Sequence, residues 1–175
     1  MNKKIVFLDR DGVINKEVGY LHKIEDFRFI DGVFNACLHF QSLNYQIIVI
    51  TNQSGIGRGY YTEEDFHIIN NWMLGKFSKK GIRILDVFFC PHEPESNCDC
   101  RKPKPGMFNQ ANDKHGIDME NSWMIGDKEA DIKSANTANI KNTILVKSGH
   151  VIDESNSKAK FILDSIGQVK TIINN

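Results

Sequence analysis

The chain has 175 residues, with 22 basic and 22 acidic side chains, so its formal net charge is zero. A chain without excess charge lacks the field that attracts nucleic acids or anionic membranes, and we expect neither as a partner. The apolar stretch over residues 5–8 is too short for a signal peptide, and no run approaches the roughly 18 apolar residues of a membrane span. We therefore expect a cytoplasmic protein that folds as one domain over residues 1–175. A monomer is the expected assembly, although the sequence leaves the oligomeric state open.

Two carboxylates follow the first apolar run. Asp9 and Asp11 come directly after residues 5–8 and before Gly12. A short apolar run closed by a glycine turn is typical of a strand buried on both faces, as in parallel sheets. Ligands of such sheets bind beyond the carboxyl ends of the strands. An Asp-x-Asp pair alone is more typical of a turn, so the prediction of a site depends on further signals.

The same pattern, a strand followed by a side-chain oxygen, occurs twice more. Residues 47–50 are followed by Thr51, and residues 123–126 by Asp127. Further strands are predicted at 84–89 and 143–146. Three strand ends would then bring carboxylates and a hydroxyl together.

Helices are predicted between these strands. One begins after Asp31, as a possible N-cap, with apolar positions 33, 36, 37, 40 and 43. A second follows a capping box at Thr62–Asp65, with apolar positions 66, 69, 73 and 77. Others are predicted at 107–115, after Asp127 and after Asp164, while 153–160 is predicted as a surface loop. The expected fold class is α/β, with a doubly wound, mainly parallel sheet and helices on both faces.

Two long polar connections are candidates for substrate binding. Residues 12–30 contain Gly19 and Tyr20, and residues 51–59 contain three glycines and Arg58. Long loops at the strand ends of α/β domains often carry function. Glycines let backbone N–H groups approach an anion, although a glycine-rich loop alone is a weak signal.

The loop over residues 90–100 has the composition of a metal site. It carries Cys90, His92, Cys98 and Cys100, which form the ligand set of a closed tetrahedral zinc site. Free buried thiols beside a surface histidine are the simpler explanation, but four ligand-type residues in eleven positions seldom coincide. Since the loop lacks an apolar core of its own, we expect the zinc to be structural and to position Arg101 and Lys102.

These residues belong to longer motifs: FLDRDG, GY near position 20, TNQSGIGRG, CPH, CDCRKPKPG and GDKEAD. With them the chain resembles the haloacid dehalogenase superfamily and, within it, the bacterial heptose bisphosphate phosphatases. The resemblance spans nearly the whole chain and implies a HAD-like fold with an inserted zinc loop and no large cap domain. Val13 stands where many relatives carry Thr, and the zinc loop is short.

The resemblance implies a phosphoaspartyl mechanism. Asp9 would be the nucleophile and Asp11 the general acid and base. Thr51 and Lys102 would stabilise the phosphoryl group. Mg²⁺ would be held by Asp9, Asp127 and the Asp11 backbone carbonyl, because hard oxygen ligands suit it.

The implied substrate is a phosphosugar, a heptose 1,7-bisphosphate that loses its 7-phosphate during heptose nucleotide precursor synthesis. The predicted substrate contacts are Glu17, Val18, Gly19, Tyr20, Asn52, Gln53, Ser54, Arg58, Arg101 and Lys128. Basic side chains dominate this region, with Lys104 as a further candidate, and this favours a second phosphate over the cation of histidinol phosphate.

Three alternatives stay open. Histidinol-phosphate phosphatases share the zinc loop and the CDCRKP run. A receiver-like signalling domain also gathers acids, a Thr and a Lys around Mg²⁺, but stores the phosphoaspartate. A catalytically silent zinc module would make the Asp9 and Asp11 pair incidental. The sequence also leaves open the preferred anomer, the pathway that takes the product, and the roles of Lys104, Lys128 and Asp131.

Overall fold

The computed structural model describes residues 2–174. Its six strands are β1 (Ile5–Leu8), β2 (Gln46–Asn52), β3 (Ile84–Cys90), β4 (Trp123–Gly126), β5 (Asn142–Val146) and β6 (Phe161–Leu163). They form one sheet in the order β3-β2-β1-β4-β5-β6, and every pairing is parallel. The first apolar run is therefore a central strand. The sheet order reverses between β1 and β4, which creates the crevice where ligands of such folds bind.

Five α-helices surround this sheet: α1 (Val33–Ser42), α2 (Ser54–Gly57), α3 (Glu63–Ser78), α4 (Gly106–His115) and α5 (Glu129–Thr137). Val6 and Leu8 pack with α1 and α3 on one face, whereas Ile5 and Phe7 pack with α4 and α5 on the other. This alternation is the two-residue period of a strand. It confirms the predicted doubly wound sheet with helices on both faces. Over residues 2–174, no helix is long and apolar enough to cross a membrane.

The start of α3 follows its predicted local chemistry. The Thr62 hydroxyl accepts a hydrogen bond from the Asp65 backbone N–H at 3.1 Å, and the Asp65 carboxylate accepts one from the Thr62 N–H at 2.8 Å. This capping box satisfies two N–H groups that an α-helix cannot pair internally. The predicted apolar positions 66, 69, 73 and 77 are all buried.

The predicted N-cap of α1 is wrong. Gly32, at φ 86°, occupies the capping position, and no side chain caps this helix. Asp31 lies one residue too early for its carboxylate to cap the first turn. Gly32 also touches the C-terminal segment, because a Cβ at this position would lie 2.7 Å from the Gly167 Cα. The turn therefore needs a residue that combines positive φ with no side chain.

Several elements differ from the sequence prediction. β2 continues through Thr51 and Asn52, and the glycine-rich loop contains the short helix α2. β6 was not predicted, because three residues are too few to show a period. The predicted C-terminal helix is a 3₁₀ helix over Ile166–Thr171. The predicted surface loop 153–160 is largely exposed and contains a short 3₁₀ turn.

Candidate active site

The largest cluster of predicted site residues lines a cavity of about 350 Å³ beyond the carboxyl ends of β1 and β2. The predicted residues in its lining are Asp9, Asp11, Glu17, Gly19, Tyr20, Asn52, Gln53, Ser54, Arg58, Arg101, Lys102 and Lys128. Thr51 and Asp127 are buried and lie outside the lining, and Val18 is an exposed residue outside it. The converging strand ends thus bring almost all predicted substrate and catalytic residues to one place.

Three buried carboxylates meet at this edge of the sheet. Asp9, Asp127 and Asp131 each offer an oxygen within 4.8 Å of the others. Burial raises the pKa of Asp9 well above its usual range, although the Lys102 ammonium opposes this, and burial together with the Asp131 charge raises the pKa of Asp127 to about 6. Within residues 2–174, the buried Asp127 Oδ1 has no hydrogen-bond partner. A set of hard oxygens with excess negative charge and an unused acceptor fits a Mg²⁺ ion.

Backbone atoms and one histidine enclose Asp127. A Cβ on Gly12 or Gly149 would lie 2.3 or 2.0 Å from its Oδ2 atom, so both positions require glycine. The same oxygen accepts a hydrogen bond from the His150 backbone N–H at 3.1 Å, and the His150 Nδ1 atom lies 2.6 Å away. The carboxylate is therefore held through Oδ2, while its buried Oδ1 has no hydrogen-bond partner in the part of the chain that the structure describes.

Lys102 is the buried cation of this centre. Its Nζ atom donates to Asp131 Oδ1 at 2.7 Å, to the Ile50 carbonyl at 2.8 Å and to Asp9 Oδ1 at 3.0 Å. Burial alone would lower its pKa, but the charges of Asp131 and Asp9 outweigh burial and raise it, so the ammonium stays charged. Asp131 also accepts from the Asp127 backbone N–H at 3.1 Å. It is a buried part of the site and not a surface charge.

Asp11 is surrounded by hydrogen-bond donors. Its carboxylate receives bonds from Arg10 Nη2 at 3.1 Å, Asn15 Nδ2 at 2.9 Å and Gln53 Nε2 at 3.1 Å. Burial acts to raise the pKa of this carboxyl, but the Arg10 charge and these hydrogen bonds together hold it below its ordinary value. The surroundings therefore lower the pKa of Asp11, whereas they raise the pKa of Asp9.

The Asn52 side chain pairs with the main chain of Lys102. Its Nδ2 donates to the Lys102 carbonyl at 3.2 Å, and its Oδ1 accepts from the Lys102 N–H at 3.1 Å. These two hydrogen bonds connect the end of β2 to the segment that follows the zinc loop. It fixes the backbone from which the Lys102 side chain reaches the aspartates.

The rim of the cavity carries further predicted substrate contacts. Glu17 accepts a hydrogen bond from the Gly19 N–H at 2.6 Å, and the Tyr20 ring packs edge-on against Tyr60 at 4.7 Å between centroids. Arg58 lies 4.0 Å from Glu95. This part of the rim therefore combines aromatic surface with charges of both signs.

The four predicted zinc ligands converge. The Cys90 Sγ atom lies 3.1 Å from that of Cys100 and 3.7 Å from that of Cys98, and His92 Nδ1 lies 3.3 Å from the Cys100 sulfur. All four cysteines of the chain are free, so no disulfide competes for these thiols. A tetrahedral zinc with bonds of about 2.3 Å would space its sulfurs about 3.8 Å apart. The cluster fits such an ion after small adjustments.

The first residues of the zinc loop are hydrogen-bonded to the glycine-rich loop. The Gln53 N–H donates to the Cys90 carbonyl at 2.7 Å, and the Gly57 N–H donates to the Pro91 carbonyl at 2.8 Å. A Cβ on Gly57 would lie 2.8 Å from the same Pro91 oxygen. These hydrogen bonds therefore join the zinc loop to the wall of the cavity.

Sequence reasoning missed several residues in the cavity lining: Leu21, Tyr61, Pro94, Ala130 and His150. His150 follows β5 and so repeats the pattern of a strand followed by a polar loop, which could have identified it. The position of Asp131 one turn beyond Asp127 does not distinguish it, in the sequence alone, from an exposed helix charge. Tyr61 precedes a helix cap, and no local signal distinguishes it from Tyr60.

Comparisons with known proteins identify relatives of this chain. Residues 99–169 match the HAD-hydrolase-like family model. A Vibrio cholerae protein named D-glycero-beta-D-manno-heptose-1,7-bisphosphate 7-phosphatase is 46% identical over 97% of this chain and 95% of its own. A Photorhabdus laumondii protein named for the alpha-heptose bisphosphate is also 46% identical, over 89% of each chain.

A solved structure supports the same relationship. The D,D-heptose 1,7-bisphosphate phosphatase from B. bronchiseptica, complexed with magnesium and phosphate, superposes with a TM-score of 0.83 at 25% identity and 96% coverage of both chains. The two chains therefore share one fold over nearly their whole length. The chain belongs to the D-glycero-D-manno-heptose-1,7-bisphosphate 7-phosphatase family of HAD-like hydrolases.

Proposed function

We propose that this protein removes the 7-phosphate of D-glycero-D-manno-heptose 1,7-bisphosphate through a phosphoaspartate on Asp9. The observation that carries the mechanism is the position of Asp9: a buried carboxylate at a central strand end, 3.0 Å from the Lys102 ammonium and next to two more carboxylates. The names of full-length relatives support the substrate. A nucleophilic carboxylate splits phosphate ester hydrolysis into two easier displacements.

In the first step, Asp9 attacks phosphorus and the bond to the sugar oxygen breaks. Asp11 gives a proton to the leaving alkoxide. A water then attacks the phosphoaspartate, Asp11 takes its proton, and inorganic phosphate leaves. A phosphate dianion beside Asp11 raises the proton affinity of that carboxyl, so substrate binding itself prepares the acid step.

The polar groups around Asp9 manage charge during both steps. Lys102 donates all three of its ammonium N–H groups to protein oxygens, so its main task is to orient Asp9 and to favour its ionised form against the effect of burial. Thr51 stabilises the transferring phosphoryl group. Asp9, Asp127 and the Asp11 backbone carbonyl would hold Mg²⁺, and Asp131 is a further candidate. When bound, the ion neutralises charge on the phosphoryl oxygens.

The second metal would be a structural zinc on Cys90, His92, Cys98 and Cys100. Residues 1–175 act as one phosphatase domain, with 90–100 as an inserted loop, and the protein works as a monomer. The distal phosphate binds to Arg101, Arg58 and Lys128, whose charges favour an anion.

One experiment tests the proposal and decides the anomer. The purified protein is incubated with the alpha and beta bisphosphates and with histidinol phosphate, and released phosphate is measured over many turnovers. We expect repeated release from a heptose bisphosphate, with ³¹P NMR showing that the 1-phosphate remains. A single burst without turnover would indicate a phosphoaspartate store, and faster release from histidinol phosphate would favour that enzyme class.

A further inference from the structure

The Gln53 side chain uses its full hydrogen-bonding capacity inside the protein. Its Nε2 atom donates to Thr51 Oγ1 at 2.8 Å and to Asp11 Oδ2 at 3.1 Å. Its Oε1 atom accepts from the Tyr61 hydroxyl at 2.6 Å and from Arg10 Nη2 at 3.5 Å. A primary amide has two N–H donors and one oxygen with two acceptor sites. Although Gln53 borders the cavity, it is only 3% exposed and retains no free donor.

The chemistry of the neighbours fixes which way this amide points. A guanidinium can only donate and an ionised carboxylate can only accept, so the oxygen must face Arg10 and the nitrogen must face Asp11. The Tyr61 hydroxyl reinforces this orientation, since burial raises its pKa to about 12 and keeps it protonated. Gly55 packs against the Tyr61 ring so closely that a Cβ there would lie 2.1 Å from the ring. The tyrosine is thereby held in place.

The direction of the bond to Thr51 has a consequence for the hydroxyl. Because Thr51 Oγ1 accepts from Gln53, its single O–H is left to donate elsewhere. The transferring phosphoryl oxygen is the acceptor that the proposed reaction brings to this strand end. The same amide nitrogen also fixes one oxygen of Asp11, so a single planar group sets the relative position of both side chains.

We propose that Gln53 is a positioning residue, which holds the Asp11 carboxylate and the Thr51 hydroxyl in register for phosphoryl transfer instead of binding the sugar. This inference rests on the proposed phosphatase function. It gives Gln53 a different role from the substrate contact expected from the sequence. Tyr61 orients the amide through its hydroxyl, and Arg10 contacts both the amide oxygen and the Asp11 carboxylate.

The test is Gln53→Glu, which keeps the shape and the acceptors for Tyr61 and Arg10 but removes both N–H donors. We expect kcat for the heptose bisphosphate to fall roughly 30- to 2,000-fold, the weight of a charge-assisted hydrogen bond plus a neutral one, with KM changed less than about threefold. Gln110→Glu, at an exposed position of α4, is the matched control and should leave both parameters unchanged. A raised KM with unchanged kcat would instead mean that Gln53 binds substrate and would overturn the proposal.

A second substrate separates positioning from general damage. An aryl phosphate with a good leaving group needs little help from Asp11 as an acid, so its kcat/KM should fall less than that of the heptose bisphosphate. Equal losses on both substrates would indicate a purely structural role and overturn the inference. If Gln53→Glu fails to fold, Gln53→Met removes the same donors without adding charge and is judged by the same two criteria. An inactive wild type would defeat the proposed function itself, whereas wrong Gln53 parameters in an active enzyme defeat only this inference.

Discussion

The carboxylate centre and the zinc loop are built in opposite ways. Asp9, Asp127 and Asp131 are buried at the ends of strands whose apolar residues are fully packed, and their positions follow from the sheet. Most residues of the loop between Cys90 and Cys100 are exposed or half-buried and have no apolar cluster of their own. The first region can therefore keep its shape without an ion, whereas the second depends on its metal ligands for shape. The two regions should respond differently to loss of charge and to loss of metal.

The largest effect should come from Asp9→Asn. An amide cannot form the phosphoaspartate, so turnover should become undetectable by phosphate release. The fold should be spared, because removing one charge from a crowded acidic cluster relieves repulsion while Lys102 keeps Asp131 as a partner. The expected midpoint of thermal unfolding is close to that of the wild type. Residual turnover, or a large loss of stability, would show that Asp9 has been given the wrong role.

Arg101→Ala tests the link between the two regions, because this residue directly follows the zinc loop. A charged hydrogen bond to phosphate is worth about 1.5 to 3 kcal/mol, so kcat/KM for the bisphosphate should fall roughly 10- to 150-fold. Hydrolysis of a monophosphate should hardly change, since it has no distal phosphate. The comparison variant Lys102→Ala should impair both substrates, because Lys102 contacts the nucleophile. Equal losses in Arg101→Ala would exclude the distal-phosphate role.

Loss of zinc should act on the loop first. Elemental analysis of protein purified without chelators should give one zinc per chain, and Cys98→Ser should lower the zinc content and the activity. We expect a moderate decrease in kcat, of about 3- to 30-fold, because Arg101 and Lys102 lose part of their support while the sheet stays intact. Cys37→Ser, in the core and away from the cluster, is the matched control for zinc content. Zinc-free wild-type protein with full activity would contradict this account.

The smallest effect concerns the base of the zinc loop. Asp86 on β3 accepts from His115 at 2.7 Å and lies 2.8 Å from Lys114, so it joins the strand before the loop to the helix after it. Burial acts to raise the pKa of Asp86, but the bonds from Lys114 and His115 lower it overall. A lowered folded-state pKa stabilises the protein above the unfolded pKa, and this contribution disappears as the pH falls through the folded value.

Asp86→Asn should therefore lower the free energy of unfolding by roughly 1 kcal/mol at pH 7, since the pair is partly exposed to solvent. The difference from the wild type should shrink as the pH falls below about 4, the unfolded pKa, and on through the lower pKa of the folded carboxyl. Urea unfolding of both proteins at pH 7 and again below about pH 4 measures this difference in the free energy of unfolding. The activity should stay unchanged. A difference that persists at low pH would mean that the loss comes from packing and not from charge.

The elements that could be predicted carry their signal within a few residues. β1 is an unbroken apolar run, and α3 has both its capping box and its apolar period in the sequence. The predicted N-cap of α1 was wrong because the residue at this position is determined by a contact between Gly32 and Gly167, more than a hundred residues away. Such tertiary constraints leave no local pattern.

The same distinction applies to the site. The ends of β1, β2 and β4 identified Asp9, Thr51 and Asp127, because the sheet brings these ends together whatever the side chains are. The burial of Asp131 and the amide network of Gln53 depend on which neighbours pack against them. In the sequence, an aspartate on a helix looks the same whether it faces water or the buried ammonium of a distant lysine, as Asp131 faces Lys102. Three-dimensional contacts were needed to separate these cases.

The backbone wall around Asp127 limits how this enzyme can be engineered. Gly12 and Gly149 approach the carboxylate from two different segments, and a methyl group at either position would collide with Oδ2. Saturation libraries should therefore return almost only glycine at these two positions, even though neither residue has a side chain to contribute chemistry. Substitutions intended to accept new phosphosugars should be made at exposed residues of the cavity rim, such as Tyr20 and Arg58, and not at the two glycines beside Asp127.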